Sequence, residues 1–381
     1  MERVDPLDSD AWDWGGLEPA RAELDGRACV RLSGPGVLAC PRGATLRDGV
    51  LEADVAVTVG RSFPGVAWRV ADDANYESFF VRPHQIGNPD AIQYTPVTNG
   101  LSSWQLYHGD GFWRPTRFPI DEWFTVRVEF ADERMRAHVG GEVVLECTRL
   151  RHAPAPGPVG VLVGGDDLLL GELRWSAEPP LLPPLAPEPR PAGIVAHWEV
   201  SEPFAERDLA TQLSAPHDWT TLDAEPSGLA DLARVATLAD GADTVLVRAV
   251  VHADHARHVP LELGFSDRVV VHVNGTSLYR GDDSYRSRDY RFLGSIGWFD
   301  TVYLPLQAGP NELVLAVSET FGGWGVQARF PDVAGLRLPA VVTSPSRLRD
   351  TAARTAQAPR AKMPSPPSSV SKKRLASSRC S

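Results

Sequence analysis

A chain of 381 residues with 33 glycines, 33 prolines and 11 tryptophans is long for one domain, and the mixture suits many short strands joined by turns. Its net charge of −11 is unevenly spread: residues 341–381 hold nine basic side chains against one acid, so this tail carries +8 and the body −19. An acidic body argues against nucleic acid as its main ligand, and no apolar run approaches the roughly 18 to 20 residues of a membrane span.

The opening MERVDPLDSDAWDWGG is acidic and lacks the basic and apolar regions of a secretory signal. As written, the chain is expected to be soluble and cytoplasmic, and extracellular if the true start lies elsewhere. Cys29, Cys40, Cys147 and Cys380 have no paired spacing and no adjacent histidine, which argues against zinc and fits a reducing compartment.

In residues 1–176 the recurrent signal is the strand. VLEADVAVTV (50–59), GVAWRV (65–70), YESFFVR (76–82), WFTVRVEF (123–130), RMRAHVGGEVVLEC (134–147) and PVGVLVG (158–164) alternate or run apolar between turn residues, with Gly140-Gly141 as a hairpin turn. Their regular spacing predicts a β-sandwich. Residues 84–119 read as a connection that is long for a sandwich, and such loops are commonly functional.

The segment AEPPLLPPLAPEPRPAG (177–193) carries too many prolines for helix or sheet interior and reads as a semi-rigid spacer. Beyond it, residues 194–340 return to strands: TVLVRAVVHA, VPLELGF, RVVVHVNG, DTVYLPL, NELVLAVSE and GWGVQARF. Asn274-Gly275 is the dipeptide that best tolerates two consecutive positive φ angles, and predicts a hairpin. One short helix is expected over residues 227–238, with Ser227 as its N-cap. The tail, residues 341–381, is rich in Ser, Pro and basic residues and is expected to be disordered.

The order VVVHVNGTSLYRG, then LQAGPNELVLAV, then FGGWGVQARF resembles the galactose-binding-like jelly rolls attached to glycoside hydrolases. The segments GVAWRVADDANYESFFVRP, NPDAIQYTPVTNGLSSWQLYHGDGF, EWFTVRVEF and RAHVGGEVVLE are similar to the concanavalin A-like lectin/glucanase superfamily, of the laminin-G-like kind, in a group that includes hydrolases of keto-sugars. Together the resemblances imply an all-β protein of two sandwiches, each tied to sugar binding, sugar chemistry or plain scaffolding.

Candidate ligand contacts cluster in residues 84–119, where Tyr94, Trp104, Tyr107, Phe112 and Trp113 alternate with amides and acids. Flat rings offer a stacking surface to the apolar face of a sugar while polar groups meet its hydroxyls, and the alternative for each ring is to pack the loop down. Arg69, Tyr76 and Arg82 lie where the resemblance implies a concave sheet, and Trp68, on a strand, joins them as a candidate ligand contact. Trp68's face is undetermined, and surface ion pairing is the plain alternative for the two arginines.

Catalysis by a glycosidase would need two carboxylates flanking a bond. The paired-acid run of the glucanases is absent, and Glu77 and Asp90 are the weak candidates. No catalytic residue and no cofactor is assigned. The resemblance implies calcium as the one ion to consider, with Asp166, Asp167, Asp282 and Asp283 as weak candidates in suitable loops. The Tyr285–Arg291 loop, with Arg286 and Arg288, reads as a reader of sugar acids or as an interface. The expected function is non-catalytic carbohydrate binding by residues 84–119. The alternatives are a sugar-active hydrolase or lyase using an acid in the same cleft, and a protein-interaction scaffold.

Overall fold

The computed structural model describes residues 1–147, 149–184 and 190–339; the basic tail and residues 185–189 of the spacer lie outside the described residues. The protein is nearly all β. Fourteen strands between residues 2 and 176 form one curled antiparallel sheet. Its spine is the strand Gly160–Ser176, which pairs with Arg27–Pro41, Gly49–Val57 and Gly65–Asp72 in different parts of its length. From Gly65–Asp72 the sheet continues through Asn75–Val81 and Ile92–Thr98 to a short edge strand, Leu101–Ser102. The concave side encloses a core that includes Trp68, Phe79, Tyr94, Phe130 and Leu170, all fully buried.

The C-terminal half is built from two facing sheets. One includes His197–Val200, Thr244–Ala253, Gly309–Ser318, Arg268–Val273 and Thr276–Asp282, and the other Leu229–Asp231, Gly325–Arg329, Arg257–Ser266 and Asp300–Leu306. Alternate residues such as Val247, Leu261, Val271, Leu315 and Val326 point into a second core between them. That alternation is what period-two strands produce when one face is buried. Asn274 and Gly275 have φ of 49° and 77°, and they turn Arg268–Val273 into Thr276–Asp282 as expected.

The halves are not independent. Leu101, from the first sheet, packs into the second core, and Leu106 and Tyr107 form a small cluster with Leu229 and Ile296. The spacer begins against the first half: Arg134 donates to the carbonyls of Leu182 and Pro183 at 3.2 and 2.8 Å. Among the described residues no helix is long and apolar enough to cross a membrane.

Two expectations need correction. Residues 227–238 do not form an α-helix: Leu229–Asp231 is a strand paired with Gly325–Arg329, followed by a 3-10 turn Leu232–Arg234. Asp231 sits at the cap, accepting from the Ala233 amide at 3.1 Å, and cross-strand pairing outweighs the weak local propensity of so short a segment. Residues 84–119 are also not a free loop, because Ile92–Thr98 is an interior strand. Every residue of IQYTPVT is buried, so the strand lacks alternation, and Pro96 masks it further.

Candidate functional site

Four aromatic rings line up where the halves meet. Trp113 and Trp104 stack with centroids 6.4 Å apart and planes 27° apart, Trp104 continues to Phe321 at 6.1 Å, and Phe321 to Tyr285 at 5.9 Å. Trp104, Trp113 and Tyr285 are half-buried, and Phe321 is 38% exposed. Each ring has its own support. The short strand Trp113–Arg114 pairs with Gln93 and Ile92, which fixes Trp113 at the sheet edge. Trp104 lies within a turn closed by the Leu106 and Tyr107 amides donating to the Ser103 carbonyl, each at 3.1 Å. Phe321 follows Thr320, whose amide donates to Asp267 at 3.1 Å.

The polar residues interspersed with these aromatics bind the other half of the protein. Asn99 donates to the Ala233 carbonyl at 2.7 Å, Gln105 to the Leu293 carbonyl at 2.8 Å, and His108 Nε2 to the Ile296 carbonyl at 2.8 Å. Gln105 is fully buried and gripped by two glycines: a Cβ on Gly294 would meet its Nε2 at 2.1 Å, and one on Gly322 its Oε1 at 2.3 Å. Both glycines have positive φ, so close approach and backbone conformation exclude larger residues there together. These amides were expected to meet sugar hydroxyls; they instead hold the aromatic strip in place.

A buried polar network also joins the halves. Tyr94, fully buried on its strand, donates to Glu77 at 2.7 Å, and Glu77 also accepts the backbone amides of Arg151 and His152 at 3.0 and 2.9 Å. Burial, reinforced by Glu77, pushes the Tyr94 hydroxyl well above its usual range. Arg151 pairs with Glu225 of the other half at 2.8 Å and lies 4.7 Å from the centre of the Tyr107 ring. Tyr107 in turn donates to Glu225 at 2.7 Å and approaches Asp231 at 3.3 Å. The adjoining cavity, about 270 Å³ and lined in part by Arg151, His152, Glu225 and Arg234, is at the lower limit of ligand pockets. Its Arg151 and Glu225 charges are spent on each other.

Burial raises the Asp231 carboxyl to about 7, with Arg234 pulling the other way and Glu225 adding to the rise. In the unfolded chain it ionises near pH 4. Between about pH 4 and 7 the folded protein therefore holds a proton that the unfolded chain has released, and stability falls as pH rises through that window. Asp267, raised to about 6 chiefly by burial, acts in the same direction. Asp231→Asn should remove its share, flattening the decline by about 2–4 kcal/mol, seen as a melting temperature several degrees less sensitive to pH between 4 and 8. An unchanged slope in the variant would rule out Asp231 as its source.

The other expected site residues have structural partners. Trp68 is buried in the first core against Phe130, with centroids 5.5 Å apart, so its expected ligand role gives way to packing. Arg69, also buried, donates to the Arg47 carbonyl at 2.7 Å and to Asp48 at 3.0 Å, and burial lowers its proton affinity. Tyr76 is 7% exposed in a cluster with Ala67, Val70 and Val97, and its hydroxyl is pushed up to about 12 by burial. Arg82 pairs with Asp90, which uses the acid proposed for catalysis, and Glu77 faces no open cleft. Of the expected ligand contacts, only Trp104 and Trp113 come together at a surface.

The calcium candidates do not converge. Asp167 pairs with Arg31 at 2.5 Å, Asp282 accepts from the Ser284 amide and hydroxyl at 3.0 and 2.6 Å, and buried Asp283 pairs with Arg288. The Asp166 side chain lies outside the described residues. Among the described residues no group of three or more His, Cys, Asp or Glu is placed to hold a metal ion.

No protein-family model matches the sequence, and no curated protein matches it. Solved structures do. The carbohydrate-binding module CBM66 from Bacillus subtilis is 14% identical, with 42% of this chain and 91% of that one covered and a TM-score of 0.33. The Caenorhabditis elegans galectin LEC-6 is 11% identical over 44% of this chain and 96% of that one, with a TM-score of 0.29. The VIP36 exoplasmic/lumenal domain, in its Ca²⁺/Man3GlcNAc-bound form, is 14% identical over 48% and 90%, with a TM-score of 0.33. These are remote similarities.

Two members of the strip lay outside the expected ligand set. Tyr285 was noted only within its arginine-rich loop, and Phe321 was not singled out. The local signal at Phe321 is FGGWG, whose glycines allow a bulky ring to stand at the surface of a tight turn.

Proposed function

We propose that this is a carbohydrate-binding, lectin-like protein that uses the Trp113, Trp104, Phe321 and Tyr285 strip as its stacking surface. The observation that carries the reading is the run of partly exposed rings itself, three successive steps of 6.4, 6.1 and 5.9 Å supplied by both halves. Large rings are normally buried, and a contiguous exposed group of them marks a binding surface. A strip, as opposed to one ring, suits several consecutive sugar units. The buried Glu77 and the paired Asp90 favour binding over hydrolysis at this surface.

The test is a glycan array and polysaccharide pull-down on the full chain, repeated with Trp104→Ala and Trp113→Ala. Both rings are half-buried at the rim, so the variants should retain a cooperative melt. Affinity should drop at least tenfold in Trp104→Ala, which sits mid-strip, consistent with about 2 kcal/mol for a central aromatic contact. Failure of the unmodified protein to retain any glycan would overturn the reading.

A further inference from the structure

The strip has a positively charged end. Arg286 is exposed, and its guanidinium lies 4.9 Å from the centre of the Tyr285 ring. Its φ of 68° is uncommon for a residue other than glycine, and such conformations concentrate where a side chain must be aimed. The loop holds it there: the Arg286 amide donates to the Phe292 carbonyl and the Ser287 amide to the Ser284 carbonyl, each at 2.9 Å. The neighbouring acids are engaged. Asp282 is bound to Ser284, Asp283 and Asp300 to Arg288, and Asp289 to Arg291. Arg286 has no carboxylate partner among the described residues.

The rest of the body is strongly acidic, so it repels polyanions in general. Anion binding there needs a local site.

Resting on the reading of the strip as a glycan platform, we propose that its Tyr285 end selects acidic saccharides, with Arg286 holding a carboxylate or sulfate ester while the adjoining sugar stacks on Phe321 and Trp104. Arginine suits this task, since its planar fork meets either oxyanion with two parallel hydrogen bonds. A weakly hydrated guanidinium beside an aromatic ring also suits a site that is polar at one end and apolar at the other.

The test is titration calorimetry on the full chain with two matched pairs of polymers: polygalacturonate against its methyl ester, and dextran sulfate against dextran. The first pair reads carboxylate and the second sulfate. Three variants accompany the unmodified protein: Arg286→Ala; Trp104→Ala; and Lys372→Ala, Lys373→Ala and Arg374→Ala together, which removes charge from the basic tail. The charged member of at least one pair should bind about tenfold more tightly than its neutral counterpart. That preference should disappear in Arg286→Ala, persist in the tail variant, and weaken as salt rises. A preference that survives loss of Arg286, or vanishes with the tail charges, overturns the proposal. Equal binding of charged and neutral polymers that depends on Trp104 would overturn the charge selection and leave the platform standing. No binding of any polymer would remove both.

Discussion

Arg151→Ala should destabilise the protein by about 3–5 kcal/mol, the cost of leaving a buried carboxylate without its partner. Arg151 is a hub between the halves. Its side chain pairs with Glu225 at 2.8 Å and packs on the rings of Tyr107 and Phe112, while its carbonyl accepts Arg234 at 2.7 Å. Burial works against its charge, yet Glu225 and Tyr107 raise its proton affinity overall, so it stays a cation. Truncation keeps the backbone bonds and removes the side chain beyond Cβ, guanidinium included, leaving Glu225 beside buried Asp231 with the Tyr107 hydroxyl but no ion-pair partner of its own. Denaturant unfolding of Arg151→Ala, Glu225→Gln and the double variant tests this. Glu225→Gln should recover a large part of the loss, because a neutral amide tolerates burial far better than an unpaired charge. A single-variant loss below about 1 kcal/mol would mean that the pair is effectively solvated. Because the strip draws rings from both halves, loosening this joint should also weaken glycan affinity without altering any ring.

Trp68→Ala should cost about 3–5 kcal/mol through loss of buried area and the cavity left behind. Trp68 is fully buried in the first core, with the Phe130 and Tyr94 ring centroids 5.5 and 6.2 Å away. Among the described residues its indole N–H has no hydrogen-bond partner. Trp68→Phe should therefore be much milder: it loses volume, but it also removes a buried donor that was never satisfied. The informative comparison is between stability and binding. Under conditions where both variants are folded, glycan affinity should match that of the unmodified protein. A selective loss of affinity in Trp68→Phe would return this residue to the ligand set.

The legible part of the candidate site was its composition. A dense group of aromatics in residues 84–119 is legible as a candidate contact region, and two of its tryptophans are half-buried at the surface. The sequence did not separate Trp104 and Trp113, at the rim, from Tyr94 and Tyr107, which are buried. Tyr94 differs because IQYTPVT is an interior strand, and a strand covered on both faces loses the alternation by which strands are recognised. Tyr107 differs because it faces Glu225 and Asp231, more than a hundred residues away in the chain. Asn99, Gln105 and His108 have the right chemistry for sugar hydroxyls, and the same chemistry serves backbone carbonyls of the opposite half.

Local chemistry by itself determined the β class, the Asn274-Gly275 and Gly140-Gly141 hairpins and the acidity of the body. Each depends on dihedral preference, period-two patterning or net charge, which act over a few residues or over simple sums. The tertiary structure alone decided that Phe321 and Tyr285 extend the Trp104 and Trp113 stack, that Glu77 and Asp90 are already engaged, and that Arg286 stands over Tyr285 without an acid partner among the described residues. These are matters of burial and of pairing between residues up to about two hundred positions apart. No local pattern encodes them, because which face of a strand is covered, and by what, depends on how the whole chain packs.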